Sequence, residues 1–360
     1  MSSSSAAVPG HMRAVLLVGH GGLECLQARD DVPVPAPGAG EVLMLVGAAA
    51  VNNTDVNTRV GWYEGGGWAG AFQFPRIQGI DACGTVVAVG DGVDPGFIGQ
   101  RVLVQPCWTE ASGRSVFLGS EVDGAFAEYL VVPAAAVHAV SSTLSDVELA
   151  SFPCSYSTAE NMLGRAAVGP GQRVLVTGAS GGVGSAAVQL AARRGAQVTA
   201  VAAADKHADV TSLGASAVVD RHADLVQAFG RYAFDAVIDV VGGDSWPRLL
   251  EVLRPRGQYA VAGAIGGPIV QLDLRTLYLN DLDVHGCTRL DAGVFADLVG
   301  YIQRGEVRPL VAATFPMEQI LEAQRLFLTK RHVGKIVLQI GRGASDRSGV
   351  TAAPPETQGP

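Results

Sequence analysis

The segment Arg173-Val-Leu-Val-Thr-Gly-Ala-Ser-Gly-Gly-Val-Gly184 constrains this chain more than any other. An apolar run breaks into glycines, and the alanine-rich stretch Ser185–Arg194 follows without proline or glycine. That order reads as strand, tight turn, helix. Such a turn aims the free N–H groups of a helix N-terminus at one point, where the helix dipole also favours negative charge. A dinucleotide pyrophosphate fits there, which marks Ser180, Gly181, Gly182, Val183 and Gly184 as candidate cofactor residues. Against the pattern Gly-x-Gly-x-x-Gly the first place is Ala179, while Gly181 and Gly184 hold the second and third. Val183, Ala187, Leu190 and Ala191 share one helical face whose small residues permit close packing on a sheet.

The texture changes twice along the chain. From Met12 to about Val140 short β-rich runs (Glu41–Val46, Gly84–Val89, Arg101–Gln105, Phe126–Val132) alternate with prolines and glycine turns, which predicts a folded-back β domain. From Arg173 onward, strands at Arg173–Thr177, Gln197–Val201, Ala217–Val219, Phe234–Val240, Gly257–Val261 and Leu282–Gly286 alternate with helical stretches. Alternation at that spacing implies parallel βαβ units and a doubly wound sheet. A helix near Gly293–Gln303 comes next, and Gly334–Ile340 reads as a strand returning to the first domain. The fold class is therefore α/β. The expected division is 12–160 for the first part of the β-rich domain, 161–298 for the doubly wound domain and 299–342 for the return, with 1–11 and 343–360 as loose tails.

Composition excludes several classes. A net charge of −8 over 360 residues argues against a nucleic-acid surface, and no apolar run approaches membrane-spanning length. Cysteines at 25, 83, 107, 154 and 287 are odd in number and lack Cys-x-x-Cys spacing, so free thiols in a reducing, cytoplasmic setting are expected.

Several landmarks in order carry a resemblance: Gly38-Ala-Gly40-Glu-Val, Val51-Asn-Asn-Thr-Asp55, Gly79-Ile-Asp81, the glycine turn, Leu213-Gly-Ala215 and Gly334-Lys335. From Met12 to Ile340 the chain resembles the medium-chain dehydrogenase/reductases, within them the zinc-independent quinone oxidoreductase and enoyl reductase branch. The resemblance implies a discontinuous GroES-like catalytic domain, a Rossmann domain and an active site in the cleft between them. Relatives that use catalytic zinc hold it through Cys, His and Cys, with a neighbouring Glu. The matching positions here are Asn52, Ile80, Cys154 and Asp81. One thiol cannot make a site that needs three protein ligands plus water, so no metal is expected. The cluster of four cysteines that binds structural zinc is missing too. Cys154 reads as a packed thiol facing the cleft, or alternatively as a nucleophile.

Without metal the natural chemistry is hydride transfer to an acceptor whose conjugated carbonyl already delocalises the incoming charge, such as a quinone or an enone. Asn52-Asn-Thr-Asp55-Val-Asn57-Thr-Arg59-Val-Gly61-Trp-Tyr63 resembles the Asn-x-x-Asp-x-Asn and Gly-x-Tyr segment of 2-enoyl thioester reductases. The resemblance implies that Tyr63 is the proton donor. Asn52 would donate to a substrate oxygen, Asp55 would orient polar partners and Arg59 would anchor an anionic substrate. The plainer alternatives are turn caps for Asn52 and Asp55, a solvated charge for Arg59, and a lid role for Tyr63 beside Trp62, Trp68, Phe72 and Phe74.

The second Rossmann strand ends in small residues, with Asp205 arriving late enough to cap the next helix. Lys206 and Arg221 match the residues that hold the 2′-phosphate in NADPH-dependent quinone reductases, so NADPH is the expected cofactor. Asp205 keeps NADH open. Thr158, Val241, Gly242, Gly263 and Ala264 fall where the ribose and nicotinamide are expected. The function read from the chain is an NADPH-dependent, zinc-free reductase of quinones or α,β-unsaturated carbonyl compounds. Two alternatives stand beside it: a 2-enoyl thioester reductase, and a non-catalytic NADPH-binding protein. The last Rossmann strand, Leu282–Gly286, predicts an exposed edge that pairs with a second copy in a homodimer.

Overall fold

Strands separated by single helices must return to the same end of a sheet before running again, which makes the sheet parallel. The computed structural model describes residues 8–65 and 72–341 and shows this sheet with six strands. Its order is Ala217–Asp220, Gln197–Ala202, Arg173–Val176, Phe234–Asp239, Leu253–Val261 and Asp283–Gly286, parallel throughout. Strand order reverses between Arg173–Val176 and Phe234–Asp239, and a crevice opens at the carboxyl ends of such a pair. The helix Gly182–Arg193 begins at that point, capped by Gly181, which has no side chain to offer its first-turn N–H groups. A Cβ added to Gly184 would stand 2.2 Å from the Gly178 carbonyl oxygen, so helix and strand approach this closely only because the residue is glycine.

The spine of the β-rich half is Glu41–Val51, a largely buried apolar strand. It pairs antiparallel with Cys83–Val89, with Tyr129–Pro133 and, at its far end, with Lys335–Gln339. Val311–Pro316 lies parallel beside the last of these. The chain therefore crosses from the first sheet to the Rossmann sheet and comes back. The register pairs Ile336 with Val51, which sets Lys335 at the level of Asn52. A second sheet of Leu26–Pro33, His11–Leu17 and Arg76–Ile77 joins the same core.

Some expected boundaries move. The run expected over Phe126–Val132 is a strand only from Tyr129 to Pro133, because the N–H groups of Ala125 and Phe126 are already engaged by the carbonyls of Gly79 and Gln78. The divisions expected at 160/161 and 298/299 fall inside the helices Pro153–Arg165 and Val294–Gln303. The first helix straddles both units: Cys154 packs on the β-rich core, while Tyr156, Ala159, Met162 and Leu163 lie in the Rossmann core. The second buries Phe295, Leu298, Val299 and Ile302 as one apolar stripe and cannot be divided. Of the expected tails, residues 1–7 and 342–360 lie outside the described residues, as does Trp68. Among the described residues no helix is long and apolar enough to cross a membrane.

The glycine turn can be tested directly. Gly184→Ala drives a Cβ into backbone and should lower stability by about 1–3 kcal/mol, the usual cost of overpacking. Gly181→Ala, whose Cβ meets nothing nearer than 3.4 Å, should change the thermal midpoint little. Equal midpoints for both variants would show that the turn can relax.

Candidate active site

The extended spine ends at Asn52, and the helix Asn53–Arg59 begins. Asp55 accepts the Asn52 N–H at 2.7 Å and the Gly79 N–H at 3.2 Å, which locks the helix start onto the Gly79–Asp81 segment. Burial, with Asp81 close by, pushes its carboxyl up to about 7. Asp55 thus holds backbone at the base of the site. Arg59 is neither a solvated charge nor a free anchor. Its buried guanidinium donates to Gln324 Oε1 at 3.1 Å and to the Gly21 carbonyl at 2.7 Å, tying this helix to Ile320–Thr329.

Four segments distant in sequence meet at Asn52. Asp81, wholly buried, accepts the Cys154 N–H on one oxygen at 2.6 Å. Its other oxygen accepts from Asn52 Nδ2 at 2.8 Å and from Lys335 Nζ at 2.9 Å. Lys335 also donates to Asn52 Oδ1 at 2.5 Å, and the second Asn52 amide proton goes to the Ala50 carbonyl at 3.0 Å. Both donors of Asn52 are therefore engaged inside the protein, so Asn52 does not offer the substrate-facing N–H expected of it. A metal ion does not fit this arrangement. An ammonium group bridges two of the four positions, Ile80 has no ligating atom, and burial together with Asp81 raises the Cys154 thiol well above its ordinary range. The same shift keeps Cys154 a thiol rather than a thiolate nucleophile.

Tyr63 lies in the turn Trp62–Gly65, packed edge-on to Trp62. Asn57 Nδ2 approaches its hydroxyl at 3.5 Å, and burial raises that hydroxyl, which stays protonated. Thr158 is half-buried one helical turn after Cys154 on Pro153–Arg165.

The residues expected to hold a cofactor lie at the strand ends. Asp239, fully buried, accepts from Thr177 Oγ1 at 2.5 Å, from the Tyr259 hydroxyl and from the N–H groups of Val241 and Gly242. This fixes the Val241-Gly242 loop, and the Gly266 N–H donates to the Val241 carbonyl at 2.7 Å, drawing in the loop that carries Gly263 and Ala264. The returning chain closes the opposite wall: the Gly334 N–H donates to the Ser180 carbonyl at 3.0 Å. Lys206 does not stand free, since its ammonium donates to the carbonyls of Lys330 and His332 at 2.6 and 3.1 Å. Burial lowers its pKa, and nearby Arg221 lowers it further against the opposing effect of Asp205. Arg221 is exposed and donates to His222 at 3.1 Å. Asp205 sits in the turn Ala204–Lys206 and does not occupy the N-cap of the following helix, a position held by Lys206 without a side-chain cap.

Sequence reasoning missed the segment Lys330-Arg-His332. Burial pushes Lys330 down to about 8, and burial plus Lys330, Lys206 and Lys335 push His332 down to about 4. Burial is the larger cause, and the three nearby lysines act in the same direction. Arg331, His332 and Lys206 line a groove of about 540 Å³ together with Arg308. The run of basic residues before Gly334 was the available signal.

Comparison with known proteins gives two family models: an alcohol dehydrogenase GroES-like domain over residues 38–142 and a zinc-binding dehydrogenase domain over 182–304. The acryloyl-coenzyme A reductase of Metallosphaera sedula is 30% identical over 91% of this chain and 99% of its own length. Among solved structures, a putative alcohol dehydrogenase from Sinorhizobium meliloti 1021 is 47% identical, with a TM-score of 0.87 over 92% of this chain and 97% of its own. An NAD-dependent alcohol dehydrogenase is 32% identical, with a TM-score of 0.84 over 92% of this chain and all of its own.

Proposed function

From a chain that belongs to the medium-chain dehydrogenase/reductase superfamily, and is thereby an oxidoreductase, we infer a zinc-independent, NADPH-dependent reductase of quinones or α,β-unsaturated carbonyl compounds. The observation that carries this reading is the Lys335 ammonium held between Asn52 and Asp81, where zinc enzymes of the superfamily keep their metal ligands. Polarising an alcohol or simple carbonyl there would need a Lewis acid that these side chains cannot hold. A conjugated acceptor needs only orientation, hydrogen bonds and a proton.

NADPH, when bound, supplies the hydride. Residues Ser180–Gly184 would take its pyrophosphate, and Thr158, Val241, Gly242, Gly263 and Ala264 would border the ribose and nicotinamide. Crowded cations support a 2′-phosphate in particular. Lys206 and Arg221 repel each other, and a phosphate between them relieves that repulsion. Tyr63, protonated and beside the cleft, is the proposed proton donor. The name of the Metallosphaera relative favours one second reading, an enoyl-thioester reductase. The free cysteines support a reducing, cytoplasmic setting.

The proposed homodimer has an exposed apolar face to bury. Among the described residues Asp283–Gly286 ends the sheet with one edge unpaired, and the segment leading to it carries the exposed Ile265, Ile269, Leu274, Tyr278 and Leu279, Ile269 at 88% and Leu279 at 69% exposure. Covering such a patch while pairing the edge strand across a two-fold axis removes both liabilities.

Three measurements test these points. Arg221→Ala should weaken NADPH binding by about 1.5–3 kcal/mol, the value of a hydrogen bond to a charged group, and leave NADH unchanged. Equal losses would show that Arg221 does not see the 2′-phosphate. Lys206→Ala should weaken both cofactors, because it also releases the carbonyls of Lys330 and His332.

Tyr63→Phe should lower turnover of an enone or enoyl thioester by roughly 10²–10⁴, with a smaller loss on a quinone whose reduced anion solvent can protonate. Full activity on all three would make Tyr63 a lid residue. NADPH binding without turnover of any of the three by the unaltered protein would favour the non-catalytic alternative.

Light scattering should report a dimer at micromolar concentration, weakened in Leu279→Glu. A monodisperse monomer would refute the pairing.

A further inference from the structure

We infer that Lys335 is the group that binds the substrate carbonyl oxygen and takes up the negative charge that develops there, an ammonium acting from the position of a metal ion. The inference rests on the reductase reading above. Three observations lead to it. First, the polar atoms around Asn52 are nearly all engaged. Both Asn52 amide protons have acceptors, and Asp81 accepts from Cys154, Asn52 and Lys335. Second, Lys335 has three N–H donors and two acceptors, Asn52 Oδ1 and Asp81 Oδ2; its third proton has no acceptor among the described residues. The side chain is 4% exposed, so water does not freely fill that place. An ammonium donor buried without an acceptor is costly, and a ligand oxygen removes the cost. Third, the charge lies beyond the phosphate cradle. A Cβ built on Gly182 would meet the Lys335 Cδ at 3.0 Å, so the aliphatic stem passes the start of the helix and the ammonium continues to Asn52 and Asp81.

The reaction balances as follows. A bound reduced nicotinamide would supply the hydride pair for the new C–H bond at the β-carbon of the acceptor. The C=C π pair shifts to join the α-carbon to the carbonyl carbon, and the C=O π pair becomes the lone pair of an enolate oxygen. The third Lys335 N–H donates to that oxygen, and Asp81 and Asn52 hold the ammonium in place. A separate acid, Tyr63 or water, then delivers a proton to the α-carbon. Lys335 loses no proton in this sequence, and the hydride donor would end as the oxidised, positively charged cofactor.

The arrangement accounts for Asn52. Its Oδ1 points at Lys335 and its Nδ2 at Asp81, so it is a positioning residue that keeps carboxylate and ammonium in one geometry.

The test compares Lys335→Met, Lys335→Arg and the double variant Lys335→Met/Asp81→Asn with the unaltered protein. NADPH affinity is read by fluorescence titration, and kcat on 2-cyclohexenone and 1,4-benzoquinone by NADPH oxidation. Loss of one donor to a developing oxyanion lowers kcat by roughly 10²–10³. Lys335→Met should show that loss on cyclohexenone, with NADPH affinity within about threefold, and Lys335→Arg should recover most of it by restoring the charge. The double variant leaves no uncompensated carboxylate, so it reads the same split if Lys335→Met fails to fold. Weaker NADPH binding by tenfold or more with kcat preserved would assign Lys335 to the cofactor phosphates and overturn the inference. Unchanged kcat and affinity would overturn it as well, while turnover of either substrate by the unaltered protein would leave the reductase reading standing. No turnover of either by the unaltered protein would reject that reading and the inference with it.

Discussion

The buried pair of Lys335 and Asp81 is the interaction on which the site depends. Two charges, 4% and 0% exposed and 2.9 Å apart, survive removal from water only because each is satisfied by further hydrogen bonds. Asp81 receives three donors, and Lys335 shares Asn52 with it. Removing one partner of such a pair typically costs about 3–5 kcal/mol, since the other is left charged and buried. The pair therefore holds the spine end, the Gly79–Asp81 segment, the start of Pro153–Arg165 and the returning strand in one arrangement.

The second organising feature is a concentration of like charge. Lys206, Lys330 and Lys335 all act on His332, and the ammonium of Lys206 is held by backbone carbonyls rather than by a carboxylate. Folding brings these groups together at a cost that an anionic ligand relieves. The returning chain also adjoins the start of Gly182–Arg193, whose Gly181 N-cap offers no side chain and which presents a positive dipole end. Positive groups gathered in this way suit a phosphate-rich molecule. One crossing of the chain, the return through Lys330–Lys335, holds Lys206, Ser180, Asn52 and Asp81 together by hydrogen bonds.

Asp239 shows how the Rossmann core prepares a binding edge. A single buried carboxylate accepts a threonine, a tyrosine and two backbone N–H groups, and so converts the end of Phe234–Asp239 into a fixed loop. A loop held this way needs little ordering should a ligand bind there.

The local grammar of the chain was readable in advance. The glycine turn, the alternation of strands and helices and the β-rich first half rest on periodicities of a few residues, and these decided the architecture down to the returning strand. The identities at 52, 80, 81 and 154 gave the expectation that no catalytic zinc is held. Side-chain partnership was not readable. Arg59 reads as a surface charge or a substrate anchor, yet folding buries it against Gln324, 265 positions away. Asn52 reads as a donor to substrate, yet its amide is consumed by Asp81 and Ala50, while Lys335, 283 positions away, stands in front of its oxygen. A turn or a helix is decided by neighbours along the backbone. Which polar atom meets which is decided by strand register and by the need to satisfy every buried donor and acceptor at once, and those conditions exist only in the folded chain.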